Sequence, residues 1–211
     1  MSAVKIKICG ITTQDALSAA HKAGADFAGF VFFEKSPRNI SLEAAASLVK
    51  STPITSVGLF VDPDDDFLKN TLAHVPLKMI QLHGNETPAR VAAIKSMTGL
   101  QVMKAIRVAS HDDLTFGSAY APVVDWLLFD AKVEGASLPG GTGRNFDWDI
   151  LRYYKSPRPW MLAGGLNAEN IGNALKMLKP DAVDVSSGVE SSTGVKDASK
   201  IAAFVDSVRH A

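Results

Sequence analysis

An α/β fold, a closed (β/α)8 or TIM barrel in a single domain over residues 1–211, is predicted by two observations. Short apolar, β-branched runs alternate with segments of helical spacing about eight times along the chain. The length also suits one full core, whereas two half-sized domains would each be marginal. The strands are expected at 4–9, 26–32, 54–61, 77–82, 101–106, 124–129, 159–163 and 182–185, each short and mostly apolar as in a parallel sheet covered by helices. Helices are expected at 13–23, 41–50, 65–73, 87–97, 111–120, 147–154, 167–178 and 197–208. Ser41, Thr87 and Asn167 stand where capping residues belong, with Glu43 and Glu169 in the first turns that follow Ser41 and Asn167.

Composition limits the function classes. Lys+Arg and Asp+Glu each total 22, a formal net charge of zero, so no global basic field draws the chain to nucleic acid or to a membrane surface. Any anionic ligand must be gripped locally. The single cysteine, Cys9, excludes an intrachain disulfide and a multi-cysteine metal cage, and suits a reducing cytosol. MSAVKIKICG lacks a long apolar signal core and no run reaches membrane-spanning length, so a cytoplasmic protein is expected. Monomer and homodimer both remain open.

In a barrel of this kind the chemistry sits on the loops at the strands' C-terminal ends. The first strand ends in KICGIT. Alternation puts Lys5, Lys7 and Cys9 on the inner face and Val4, Ile6 and Ile8 toward the helices. Lys7 then lies two residues, roughly 6.5–7 Å, from Cys9. A buried cation at that range is expected to lower a thiol pKa of about 8.5 toward neutrality. Lys7 reads equally as the partner of a barrel carboxylate. Asp130, in WLLFDAK, is expected just past the sixth strand at the same mouth. A thiol and a carboxyl group across one pocket are the minimum equipment for moving protons on a sugar, one as base and one as acid.

Three glycine-rich segments follow the last three strands: Gly140 to Gly143 (GGTG, with Gly141), Gly164 and Gly165 in AGGL, and Ser186, Ser187 and Gly188 (SSG). The last two occupy the loops that bind phosphate in many (β/α)8 barrels through bare backbone N–H groups. The stretch 131–145 is long enough to serve as a lid or clamp. After the second strand, FFEKSPRNIS carries Lys35 and Arg38, and the planar guanidinium of Arg38 suits a second anionic group on the substrate. His83, in QLHG, is a proton carrier, a donor to substrate or a structural histidine, the last two favoured over catalysis.

Taken together, KICGIT at 7–12, KSPRNIS at 35–41, QLHG at 81–84, GGTGRNFDW at 140–148, AGGLN at 163–167 and VDVSSGVE at 183–190 resemble the successive motifs of the phosphoribosylanthranilate isomerases. They run in family order over nearly the whole chain. Asn39 departs from the pattern, standing where an aromatic residue or histidine is frequent. The resemblance implies an Amadori rearrangement without metal or cofactor, acting on a small phosphorylated substrate. It implies Asp130 as the acid that opens the furanose ring and Cys9 as the base that removes the C2 proton. Arg38 would hold the anthranilate carboxylate, Asp184 would help bind or stabilise the substrate, and loops seven and eight would hold the phosphate. As an acid Asp130 must carry a proton, which asks for a pKa above its usual value of about 3.9. A Cys9 thiolate nearby would push it that way, coupling the two titrations.

The rival readings are weaker on residues. A pentose-phosphate epimerase needs a His and Asp metal set at the strand ends, and only His83 is well placed. An indole-glycerol-phosphate synthase uses a lysine and a glutamate where this chain has Cys9 and Asp130. A silent, binding-only barrel would have no reason to keep that pair.

Overall fold

The computed structural model of the chain describes residues 4–131 and 148–211. Eight parallel strands close on themselves in sequential order: β1 (Lys5–Cys9), β2 (Phe27–Phe32), β3 (Thr55–Phe60), β4 (Met79–Leu82), β5 (Gln101–Val108), β6 (Trp126–Ala131), β7 (Trp160–Ala163) and β8 (Ala182–Val185). Pairing of β8 with β1, Lys7 beside Asp184, completes the ring. The outer helices are α1 (Gln14–Ala23), α2 (Leu42–Lys50), α3 (Asp65–His74), α4 (Pro88–Thr98), α5 (His111–Ser118), α6 (Asp149–Arg152), α7 (Ile171–Met177) and α8 (Ala198–Arg209). The predicted barrel is therefore present. The GGTG segment with Gly141, and the predicted start of the sixth helix at Asp147, lie outside the described residues.

Local chemistry sets the helix starts. Ser41 and Thr87 accept the backbone N–H of Ala44 and Arg90, as expected of caps, and Thr13, Asp64 and Asp197 do the same for their helices. Asn167 behaves differently: its Oδ1 accepts from the N–H groups of Glu169 and Asn170, which closes a separate turn. For that reason α7 begins at Ile171, four residues later than predicted.

Two apolar layers hold the molecule together. Outward residues such as Ile6, Ile8, Phe30, Phe60 and Leu127 pack against the helices. Inward residues Phe27, Val57, Met79, Met103, Trp126, Leu128 and Met161 fill the lower barrel. Each such side chain contributes roughly 1.5–3 kcal/mol by leaving water. Lys5 closes the bottom, its Nζ lying 5.9 Å from the Phe27 ring centroid and 5.8 Å from that of Trp126. Above this plug the inward layer mixes polar Lys7, Gln81 and Asp184 with the small apolar cluster of Cys9, Val31 and Leu59. The loop after β8 also contains a small antiparallel hairpin, β9 (Glu190–Ser192) and β10 (Val195–Lys196), which the βα alternation did not foretell. Among the described residues no helix is long and apolar enough to cross a membrane.

Candidate active site

The strands' C-terminal ends surround a cavity of about 350 Å³ whose lining includes Cys9, Arg38, His83, Asp130, Gly164, Gly165, Asp184, Ser186 and Ser187. Nine of the predicted site residues thus meet in one place. Gly188 packs directly behind the rim, where a Cβ would fall 2.0 Å from the Leu166 carbonyl oxygen, so loops seven and eight touch there. Lys35 is exposed and takes no part in the lining.

Alternation along β1 places Cys9 and Lys7 inward, Lys7 fully buried and Cys9 only 4 % exposed. Both side chains lie over Gly29 of β2, where an added Cβ would meet Cys9 Sγ at 2.9 Å and Lys7 Nζ at 3.1 Å. The bare glycine makes room for the pair. Lys7 Nζ donates to Asp184 Oδ1 at 3.0 Å, which is the ion pair that the sequence allowed as one of two readings. Burial pulls the Lys7 pKa down, but Asp184 and then Cys9 more than reverse this, so the ammonium stays charged.

The expected acidic thiol is not found. Burial is the largest influence on Cys9 and raises its pKa; Lys7 opposes it, and Asp184 adds to the rise. Lys7 does pull in the predicted direction, yet a sulfur so nearly sealed from water loses more solvation than one shared cation returns.

Asp130 is inward on β6, which runs one residue beyond it to Ala131, so this carboxylate belongs to the strand rather than to the loop as predicted. Its side chain is about one-third exposed, and His83 Nε2 lies 3.2 Å from its Oδ2. Among the described residues, the titratable side chain hydrogen-bonded to Asp130 is thus His83. Gln81, buried and inward on β4, places its Nε2 3.4 Å from His83 Nδ1. A buried pair fixes the chain just past His83: Lys104 Nζ donates to Glu86 Oε2 and to the Gly84 carbonyl, each at 2.8 Å.

On the opposite side, Arg38 lies with its stem against Gly10, where a Cβ would come within 2.6 Å of Arg38 Cδ. The backbone there has φ +78°, a conformation natural to glycine. Asn39 ties the same loop down by accepting the Phe33 N–H at 2.9 Å, so the departure noted at this position is locally satisfied. At the rim, the backbone N–H groups of Gly164, Gly165, Ser187 and Gly188 donate to no acceptor among the described residues. Ser186 Oγ donates to the Cys9 carbonyl at 3.1 Å and so joins this rim to the end of β1.

Sequence reasoning missed Arg107, Gln81, Glu190 and Lys196. Arg107 follows Met103 and Ala105 inward and lines the cavity, but the strand was expected to stop at Ile106. Period-two extension by one more step would have found it. Gln81 carried the same signal from Met79 and His83. Glu190 and Lys196 belong to the hairpin, whose only mark is a Thr-Gly turn between β-prone residues.

A buried thiol and a carboxyl group facing one cavity, an arginine on one flank and bare amides on the other, form a site for an acid/base reaction on a substrate with two anionic ends. Residues 6–207 match the family model described as N-(5'phosphoribosyl)anthranilate (PRA) isomerase. An N-(5'-phosphoribosyl)anthranilate isomerase from Paramagnetospirillum magneticum is 52 % identical over 209 residues, 98 % of this chain and 97 % of that relative. The crystal structure of phosphoribosyl anthranilate isomerase from Thermotoga maritima has a TM-score of 0.88 at 35 % identity, covering 99 % of this chain and 100 % of that one. A second structure, an isomerase in complex with reduced 1-(o-carboxyphenylamino)-1-deoxyribulose 5-phosphate, gives 0.85 at 34 % identity with the same coverage. The chain belongs to the N-(5'-phosphoribosyl)anthranilate isomerase family.

Proposed function

We propose that the chain converts N-(5-phosphoribosyl)anthranilate to 1-(2-carboxyphenylamino)-1-deoxyribulose 5-phosphate by acid/base catalysis without a cofactor, in the cytoplasm, as a monomer or homodimer. The observation that carries this is the meeting of Cys9 and Asp130 in one cavity flanked by Arg38 and by the undonated amides of Gly164, Gly165 and Ser187. The ligand of the solved relative has a carboxylate at one end and a phosphate at the other, which this arrangement suits.

Asp130 gives its proton to the ring oxygen; the C1–O bond breaks and its electrons leave with that oxygen, generating an iminium. The Cys9 thiolate takes the C2 proton, and the released pair forms C1=C2 while the iminium electrons return to nitrogen. Loss of the C2 hydroxyl proton and protonation at C1 then give the ketone. Arg38 holds the carboxylate, loops seven and eight hold the phosphate, and Asp184, which lines the cavity while accepting from Lys7, helps bind or stabilise the substrate. Because burial raises the Cys9 pKa, the thiolate is a scarce but strong base. Because Cys9 must lose a proton while Asp130 keeps one, kcat/KM is expected to follow a bell-shaped pH profile, and a profile that rises without falling would remove the proton donor from the mechanism.

The direct test follows loss of substrate fluorescence with purified protein, with and without a chelator. Equal rates are expected. No turnover would refute the assignment, and turnover abolished by chelation would refute the cofactor-free mechanism. Gly188→Ala provides a test of the phosphate rim. Its methyl group cannot coexist with the Leu166 carbonyl unless the two loops separate. The inhibition constant of inorganic phosphate is expected to rise at least about tenfold, equivalent to about 1.4 kcal/mol. An unchanged constant would place the phosphate elsewhere.

A further inference from the structure

We propose that Glu190 is a positioning residue that aims Arg38 at the carboxylate of the substrate. This rests on the reading of Arg38 given above and adds a residue that the motif left without a role. Glu190 Oε1 accepts from Arg38 Nε at 2.7 Å and from Lys196 Nζ at 2.7 Å. Its Oε2 accepts from Arg38 Nη2 at 2.8 Å and from the Gly194 N–H at 3.1 Å. Both carboxylate oxygens are thus doubly occupied, and the group is nearly sealed from water. Burial pushes its pKa up, but the bonds from Arg38 and Lys196 outweigh that and bring it down to about 2. At any working pH it is an anion that cannot turn away.

The geometry leaves Arg38 a free edge. Glu190 takes the side-on face, Nε with one Nη2 hydrogen. Of the five guanidinium donors, the two on Nη1 and the second on Nη2 have no partner among the described residues. One of these from each Nη makes the parallel pair that grips a carboxylate end-on. Charge points the same way: Arg38, Glu190 and Lys196 sum to +1, and no second carboxylate pairs with either cation among the described residues. One negative charge is missing from the cluster, and the cavity is where Arg38 can receive it.

The hairpin supplies the rigidity. The tip glycine, Gly194 at φ +83°, packs so closely on the loop of Arg38 that a Cβ there would lie 2.7 Å from the Pro37 carbonyl oxygen. Lys196, its side chain buried, donates to the Ser186 carbonyl at 3.0 Å and to Ser186 Oγ at 3.2 Å, so the same anchor reaches the phosphate rim. Lys200 Nζ holds the Glu190 carbonyl at 2.7 Å. An arginine gripped at its stem by Gly10 and at its head by Glu190 has little rotamer freedom left to lose when substrate binds.

The test compares Glu190→Gln, Glu190→Asp and Arg38→Met on two substrates: phosphoribosylanthranilate, and phosphoribosylaniline, which lacks the carboxylate. Glu190→Gln is expected to raise KM for the carboxylated substrate at least about tenfold with kcat within about threefold, the pattern of lost uniform binding. KM for the carboxylate-free substrate should move less than about threefold, and Glu190→Asp should recover part of the loss. Equal changes on both substrates would show a merely structural role and overturn the proposal. If Arg38→Met discriminates between the substrates and Glu190→Gln does not, Glu190 is not the aiming residue. If neither discriminates, the reading of Arg38 itself fails. Should Glu190→Gln fold poorly with Lys196 left buried, the double variant Glu190→Gln/Lys196→Met removes that charge and is held to the same substrate comparison.

Discussion

Asp130→Asn and Cys9→Ala are each expected to lose about 10²–10⁴-fold in kcat, the range that a positioned proton donor or acceptor supplies. The two substitutions are small in every other respect. Asp130→Asn preserves shape, and its side-chain hydrogen bond among the described residues is to His83, which an amide oxygen can still accept. Cys9→Ala removes one sulfur atom from a site already relieved by Gly29. In the proposed mechanism substrate is held by Arg38 and the rim amides, neither of which these changes touch, so the dissociation constant of a product analogue is expected to stay within about threefold of wild type. Single-turnover kinetics with binding measured in parallel separates the two quantities. Turnover within about tenfold of wild type in either variant, about 1.4 kcal/mol of barrier, would remove that residue from the mechanism.

Such variants could be chosen from the sequence because the barrel is legible in it. Period-two alternation along β1 put Lys5, Lys7 and Cys9 on one face, and the structure has Lys5 at the floor, Lys7 in the middle and Cys9 at the mouth. Glycines after β7 and β8 marked the rim because bare amides leave their trace as glycine. What the sequence concealed was the balance of opposed effects. The direction of Lys7's pull on Cys9 follows from charge alone, but its contest with desolvation depends on how tightly β2 closes over the sulfur, which no local pattern encodes. Partner choice was hidden for the same reason. That Arg38 meets Glu190, 152 positions away, and that Asp130 meets His83 across the mouth, follow from ring closure and not from any neighbourhood in the chain.

Lys7→Met is expected to lower folding stability by about 3–5 kcal/mol, because it leaves the nearly buried Asp184 carboxylate without its cation. Methionine fills much the same volume, so the loss is electrostatic rather than a cavity. Adding Asp184→Asn removes the stranded charge and should return most of the stability, as replacing both members of a buried pair usually does. The pH dependence provides the sign. In the wild type the Lys7 pKa lies above 10.5, so its contribution is complete at neutral pH and is lost only as pH rises through that raised value. Catalysis responds separately: without Lys7 the main force lowering the Cys9 pKa is gone, so the limb of the kcat/KM profile that reports the thiol moves to higher pH. In Lys7→Met/Asp184→Asn it moves only part of the way back, since Asp184 pushes on the thiol less strongly than Lys7 pulls. Urea melts across pH together with pH–rate profiles of the three proteins read both effects. A stable Lys7→Met would mean that the ion pair is not what holds the upper barrel together, and an unmoved limb would leave Lys7 a packing or ion-pair residue with no hold on the thiol.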